Sequence, residues 1–507
     1  MGRQNRARRA ALLLGAAGLL LASCTGGGGD GSPDEPTGKP SAHGDKPNIV
    51  YVLTDDLSWN LVKYMPHVQK MRQNGTTFTD FYVTDSLCCP SRSSILTGEY
   101  PHNTGVFTNT GDDGGYGAFM KNGDEDKCFG PALQKAGYRT GFMGKYLNGY
   151  QPGDTQGTSK PYVPPGWDEW DVAGSGYAEY NYNLNENGKV AHYRHRPQDY
   201  LTDVVSHKAT SFVDAAADAK KPFMLELATF APHGPSTPAP RDVKSFPGVK
   251  APREASFDKS PQDAPAWQRE LSPLAPKEKK EINRKFALRV RSVQAVDRMI
   301  GHLEDELKAK GLADDTYLVF NSDNGFHMGE HRLRPGKQTA FDTDINVPLV
   351  VTGPGVPAGK QVSQLAENVD MNPTFQDLAG LDPPASADGT SLTGLMRGGD
   401  GGADWRKAVL VEHHHAASKK GDPDAAPKNA GDPPSYEALR TKDALYVEYA
   451  DGEREYYETG SDTYEMYNRW SGLPADDRAR LHDTLTALKD CKGADECRKA
   501  AATDASG

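Results

Sequence analysis

Asn48-Ile-Val-Tyr-Val-Leu53, followed without a break by Thr54-Asp55-Asp56, reads as a short buried strand that ends in two acids. A second stretch repeats the pattern, with Thr316-Tyr-Leu-Val-Phe320 running into Asn321-Ser322-Asp323-Asn324-Gly325. Continuous apolar runs of this length, separated by helical stretches, mark parallel strands covered on both faces. Two further runs behave alike: Arg139 to Met143 leads into Gly144-Lys145, and Phe223 to Phe230 leads into Ala231-Pro232-His233. The expectation is an α/β chain with a large, mostly parallel sheet sandwiched by helices. Ligands of such sheets bind outside the carboxyl ends of the strands, so all four clusters converge on one crevice. Asp55, Asp56, Asp323 and Asn324 offer hard oxygen donors, which suit Ca²⁺ or Mg²⁺ better than zinc. Either pair alone also reads as a helix cap or a turn.

The 507 residues carry 58 Lys+Arg against 69 Asp+Glu, a formal charge of −11, and six cysteines. No long basic block is present, so a general grip on nucleic acid is excluded, and an anionic substrate needs a locally built positive site. Six cysteines are too sparse for a disulfide scaffold. The length predicts a large domain with a smaller one attached.

Residues 87–98 read Leu-Cys-Cys-Pro-Ser-Arg-Ser-Ser-Ile-Leu-Thr-Gly. This stretch resembles the C-x-P-S-R-x-x-x-L-T-G motif of the sulfatase family, matched by Cys88, Pro90, Ser91, Arg92, Leu96, Thr97 and Gly98. The resemblance implies an alkaline-phosphatase-like fold and oxidation of Cys88 to formylglycine by a formylglycine-generating enzyme. One hydroxyl of the hydrated aldehyde attacks sulfur, and the second later expels sulfate, so a plain serine would be trapped as its sulfate. By the same resemblance Asp55, Asp56, Asp323 and Asn324 hold a divalent cation, with the oxygen at residue 88 completing the shell. Arg92 holds the hydrate, Lys145 and Lys337 bind sulfate oxygens, and His233 protonates the leaving group. Ser91 to Gly98 is expected to open a helix, which favours an oxyanion near residue 88.

One position departs from many arylsulfatases, where a histidine stands two residues after the lysine that Lys145 matches; here Leu147 occupies it. The base for the hydrate is thus open between His102 and His327, with His331 a weaker choice. Gly144-Lys-Tyr-Leu-Asn148 is similar to the branch containing N-acetylglucosamine-6-sulfatase and the extracellular heparan endosulfatases, as are Asp199-Tyr-Leu-Thr-Asp203, Asp344-Ile-Asn-Val-Pro-Leu349 and Asp388-Gly-Thr-Ser-Leu392. That likeness implies a sulfated carbohydrate substrate, with aryl sulfates as the broader alternative. Cys491-Lys-Gly-Ala-Asp-Glu-Cys497 resembles a closing C-x₅-C, implying a disulfide there, and Cys89 with Cys128 is a second candidate pair. A basic tail is absent, which favours an exo-acting or small-substrate enzyme. The rival readings are a phosphate or phosphonate monoester hydrolase and a non-catalytic glycan-binding lipoprotein.

Four arginines, Arg3, Arg6, Arg8 and Arg9, precede the apolar stretch Ala10 to Ala22, too short to span a bilayer and suited to a signal peptide. Leu21-Ala22-Ser23-Cys24 resembles a lipobox, which implies cleavage before Cys24, lipidation of that residue, and an exported protein held at the membrane by its N-terminal lipid. Loss of the four arginines takes the formal charge from −11 to −15. The expected organisation is a leader over 1–23, a flexible tether over 24–46, a catalytic domain over 47–395 and a small C-terminal α+β domain with an antiparallel sheet over 396–507. Within it, Ala408–Val411 and Ala444–Tyr449 read as strands and Ala475 to Lys489 as a helix, while Lys285 to Lys310 reads as an amphipathic scaffold helix. His413-His414-His415 reads as a strand end, Ala416 to Pro434 as a mobile insertion, and Tyr177 to Tyr193 as loop packing or a sugar subsite.

Overall fold

The computed structural model describes residues 46–415, 425, 430 and 432–502. The leader, Cys24, nearly all of the tether and most of the 416–434 insertion lie outside these residues. One sheet dominates, built from β1 (Asn48–Thr54), β2 (Thr76–Phe78), β3 (Arg139–Lys145), β4 (Glu169–Ala173), β5 (Asn183–Glu186), β6 (Val190–His192), β7 (Phe223–Ala228), β8 (Thr316–Ser322), β9 (Leu349–Thr352) and β10 (Lys360–Val362). Its ten strands lie in the order β10-β2-β9-β8-β1-β7-β3-β4-β5-β6. The central five, β8, β1, β7, β3 and β4, are parallel. β9 pairs antiparallel with β8 and β2, and β5 with β4 and β6. The division follows burial: every residue of β1, β7 and β8 is buried, whereas β5 and β6 form a short, partly exposed hairpin that needs no crossover.

Register decides what meets at the strand ends. Ser322 pairs with Thr54, Leu53 with Ala228, and Ala228 with Gly144, so Asp55-Asp56, Asp323-Asn324, Lys145 and the turn to His233 leave the sheet side by side. On one face lie α2 (Leu201–Ala219) and α3 (Pro276–Ala309), whose Phe212, Val290, Val293 and Ile300 pack on Val50, Val52 and Leu225. α3 begins well before Lys285, because Pro276 takes its first turn and the Glu278 carboxylate accepts the Ala275 N–H at 2.7 Å. The other face is covered by α1 (Cys88–Thr97) and aromatic residues including Phe119, Phe129 and Phe375.

A smaller antiparallel sheet holds β11 (Ala408–His413), β12 (Tyr436–Thr441), β13 (Leu445–Tyr449) and β14 (Arg454–Tyr457) in chain order. Val409, Val411, Ala438 and Val447 join the core of the large sheet. Leu410, Leu439 and Tyr446 face Leu481, Leu485 and Leu488 of the terminal helix, Ala475–Lys489. Cys491 and Cys497 form the expected disulfide. Cys89 and Cys128 do not pair: both are buried free thiols, the Cys128 thiol turned to the Asp124 carbonyl at 3.5 Å. Among the described residues no helix is long and apolar enough to cross a membrane.

Two substitutions test this core. Gly144 has φ 105°, and a Cβ there would lie 1.9 Å from the Ala228 carbonyl oxygen. Gly144→Ala is expected to part β3 from β7 and to cost at least about 2 kcal/mol in urea unfolding. Glu226 on β7 is buried with Oε2 unpaired, and burial pushes its carboxyl from 4.5 up to about 8 against the pull of Arg92. The folded chain therefore keeps a proton that the unfolded chain has lost, and stability falls as pH rises through that window. Glu226→Gln removes this slope, and the variant should gain on the parent by up to roughly 4 kcal/mol between pH 4.5 and 8. Parallel urea midpoints for the two proteins across that range would refute it.

Candidate active site

α1 is buried along its whole length although half its side chains are polar. Burial is tolerated because the hydroxyls are bonded: Ser93 to the Cys89 carbonyl at 2.8 Å, Thr97 to the Ser93 carbonyl at 2.8 Å, and Ser94 to Thr84 at 2.9 Å. Gly98 closes the helix at φ 78°, a left-handed position that suits glycine. The helix starts at Cys88 rather than Ser91, which sets the Cys88 side chain at its first turn, facing the strand ends.

The motif grips the candidate metal ligands directly. Ser91 Oγ donates to the Asp323 carbonyl, Arg92 Nε donates to Asp323 Oδ2 at 2.8 Å, and Arg92 Nη2 lies 2.8 Å from the same oxygen as an ion pair. Arg92 Nη1 reaches the Lys145 carbonyl at 3.2 Å, and Nη2 lies 3.9 Å from Asp55 Oδ1. Arg92 is thus tied to the acid cluster. Lys145 Nζ lies 2.7 Å from Asp55 Oδ2, and Lys337 Nζ lies 2.7 Å from both Asp56 Oδ1 and Cys88 Sγ. Cys88 Sγ is 3.1 Å from Asp55 Oδ1.

One donor atom each from Asp55, Asp56, Cys88 and Asp323 lies within 4.8 Å of the others, all four residues being buried. Asp56 Oδ2 and Asn324 Oδ1 are buried without a hydrogen-bond partner. Hard oxygens left unpaired in a buried acid cluster fit Ca²⁺ or Mg²⁺. Burial opposes the charged form of Asp55, yet Lys145, His233, Arg92 and Lys337 outweigh it and hold that carboxyl well below the usual range. Burial pushes Asp323 up, with the Asp55 charge adding to it and Arg92 opposing. Packed acids that repel one another are what a dication relieves.

His233 Nδ1 lies 2.8 Å from the Gly234 carbonyl, which only accepts, so Nδ1 carries the proton and Nε2 faces Asp56 Oδ2 at 3.7 Å. Its ring sits 4.6 Å from that of Tyr177, and Lys145 Nζ lies 5.0 Å from the same Tyr177 ring. Asn148 Nδ2 donates to the Tyr177 hydroxyl at 3.4 Å.

The two histidines expected as bases do not join this group through their ring nitrogens. His102 gives Nδ1 to Glu412 at 2.8 Å and Nε2 to the Cys491 carbonyl at 2.9 Å, fastening the turn after α1 to the C-terminal segment. His327 gives Nδ1 to Asp344 at 2.9 Å and Nε2 to the Ala430 carbonyl at 2.8 Å. His331 bonds the Tyr464 carbonyl, and burial pushes it down to about 4. His413 is buried against Asp85, while His414 stacks on Phe107 at 3.7 Å. A buried arginine on α3, Arg289, was not anticipated: its Nη2 donates to the Asp56 carbonyl. It occupies the apolar face between Phe286 and Val293, and that position was its signal.

Strand ends that bring carboxylates and cations to one buried cysteine, at the parallel centre of a mixed sheet between helices, are the arrangement of the alkaline-phosphatase-like hydrolases. Within that class the chain belongs to the sulfatase family of sulfuric ester hydrolases, whose model, described as Sulfatase, matches residues 47–381. Human N-acetylglucosamine-6-sulfatase is 33% identical over 476 residues, covering 88% of this chain and 85% of that protein. A Drosophila melanogaster extracellular sulfatase SULF-1 homolog is 35% identical over 381 residues; the match covers 73% of this chain but only 33% of that longer protein. A structure solved with its substrate D-glucosamine-2-N,6-O-disulfate shares the fold at TM-score 0.74 and 23% identity, covering 90% of this chain and 99% of that one. A phosphonate monoester hydrolase from Silicibacter pomeroyi shares it at TM-score 0.63 and 23% identity, covering 86% and 93%.

Proposed function

We propose that the chain hydrolyses sulfate monoesters of sugars, with 6-sulfated N-acetylglucosamine as the substrate class, using formylglycine made from Cys88 and Ca²⁺ or Mg²⁺ held by Asp55, Asp56, Asp323 and Asn324. The observation that carries this reading is the Cys88 side chain itself, buried at the start of α1 with Lys337 at 2.7 Å and Asp55 at 3.1 Å. The relative named for 6-sulfated N-acetylglucosamine, matched over most of both chains, supports the substrate. When present, the cation supplies Lewis acidity to a sulfate oxygen and the aldehyde hydrate supplies the attacking hydroxyl.

The chain's own residues do the rest. Lys145 and Lys337 neutralise the sulfate oxygens in a site that excludes water, where each charge counts for more than at the surface. His233 protonates the departing sugar oxygen from Nε2. Because Nδ1 is fixed to the Gly234 carbonyl, Nε2 donates only when the ring is the imidazolium. Lys337, 2.7 Å from Cys88 Sγ, also sets its charge beside the oxygen that residue 88 would carry. Export and anchorage through a lipid on Cys24 complete the proposal, resting on the leader ahead of Leu21-Ala-Ser-Cys24.

The test combines mass spectrometry of the tryptic peptide holding Cys88 with rates on an aryl sulfate, 6-sulfated N-acetylglucosamine and an aryl phosphonate. Formylglycine at residue 88 and sulfate release fastest from the sugar are expected. An unmodified Cys88 in protein taken from its own organism would refute the mechanism, and preference for the phosphonate would replace the substrate.

A further inference from the structure

Arg289 is 3% exposed and makes no ion pair among the described residues. Its guanidinium is spent on two main-chain carbonyls and a ring. Nη2 donates to Asp56 O, Nη1 reaches Pro232 O at 3.5 Å, and the group lies over Phe326 at 4.3 Å. These contacts fall on the segments after β1, β7 and β8, each carrying a site residue: Asp56 itself, His233 beside Pro232, and Asn324 two residues before Phe326. Asp56 has φ 65°, a left-handed conformation that a non-glycine residue holds only at a cost of about 1–2 kcal/mol. A buried cation with no carboxylate at ion-pair distance is costly as well: burial pushes Arg289 down to about 10 although Asp56 and Asp55 attract it from farther away. Two unfavourable features sit in contact, and each explains the other: the carbonyl of the strained residue is what solvates the guanidinium.

We infer that Arg289 is a positioning residue that locks Asp56 in its left-handed turn and joins it to the His233 segment, so that α3 sets the geometry of the candidate metal site. The inference rests on the metal reading above. Direct electrostatics predicts the opposite effect. A guanidinium acting by charge alone would repel the dication, and its removal would tighten binding. Loss of positioning loosens it, so the sign of the change decides.

The experiment titrates CaCl₂ into the chelator-treated full chain by calorimetry, for the parent, Arg289→Lys and Arg289→Met. Near-ultraviolet circular dichroism reports the fold, and the Cys88 residue need not be converted. Arg289→Met is expected to bind Ca²⁺ about 10- to 100-fold more weakly, as for other groups that orient metal ligands, and Arg289→Lys, which reaches one carbonyl, to recover part of the loss. The pH profile of turnover should shift as well, because the His233 segment is released. Affinity unchanged or tighter in either folded variant overturns the positioning role; should Arg289→Met fail to fold, Arg289→Lys decides alone. A parent that binds Ca²⁺ while both variants bind it equally refutes only the role of Arg289. A parent that binds neither Ca²⁺ nor Mg²⁺ refutes the metal reading and this inference with it.

Discussion

Cys88→Ala is expected to reduce sulfate-ester turnover by at least about 10⁴-fold while the protein stays folded, because it deletes the reacting group and little else. The side chain removed is one sulfur, and α1 keeps its own hydroxyl bonds, its Arg92 and Ser91 clamps on Asp323 and its Gly98 terminus. Cys88→Ser is the sharper variant. Serine offers one hydroxyl in place of the two of a hydrate, so it can accept a sulfo group from the substrate but has no second oxygen with which to expel it. At most one turnover is expected, leaving a protein heavier by one sulfo group on the peptide containing residue 88. Intact mass after incubation with substrate reads this directly. Sustained turnover by either variant, in a preparation shown by mass to carry the substitution, would remove residue 88 from the mechanism.

The parts of the site that were legible were those written locally. Apolar runs ending in Asp55-Asp56 and Asp323-Asn324 specify both a strand and the chemistry at its end, and parallel pairing then sets the two pairs side by side. Where the histidine rings point is written non-locally. Whether His102 or His327 can take a proton depends on partners far along the chain, Glu412 and Cys491 for one, Asp344 and Ala430 for the other. Residue type marked them as candidates, and tertiary contacts spent their nitrogens. Cys89 and Cys128 pose the same problem, since spacing says nothing of where two thiols point. The hairpin Asn183–His192 escaped because polar residues on a short edge carry no apolar run. Arg289 was readable in retrospect, a charge on the apolar face of α3, where a helix facing solvent would not put one.

Asp323→Asn should lower kcat/KM by roughly 100- to 1000-fold and weaken Ca²⁺ binding by about 10- to 100-fold. The reason lies in how completely this carboxylate is used. Oδ1 accepts the Asp56 N–H at 3.0 Å and the Asn324 N–H at 2.8 Å, and Oδ2 accepts Arg92 Nε at 2.8 Å with Nη2 in ion-pair contact at 2.8 Å. An amide keeps one oxygen. If that oxygen faces Arg92, the NH₂ group meets two backbone N–H donors; if it faces them, the NH₂ meets the guanidinium. Either rotamer sets donor against donor in a buried site, and Arg92 loses its close carboxylate, leaving Asp55 at 3.9 Å. Breaking such a pair costs about 3–5 kcal/mol, so the metal-free variant should also unfold at lower urea than the parent. Asp55→Asn makes the useful contrast, because the Lys145 ammonium is a single flexible donor that an amide oxygen can still accept. Urea midpoints with and without Ca²⁺ for both variants check the argument. Equal midpoints for Asp323→Asn and the parent without metal would show that the Arg92 clamp contributes nothing to the fold, and a metal affinity within twofold of the parent would exclude Asp323 as a ligand.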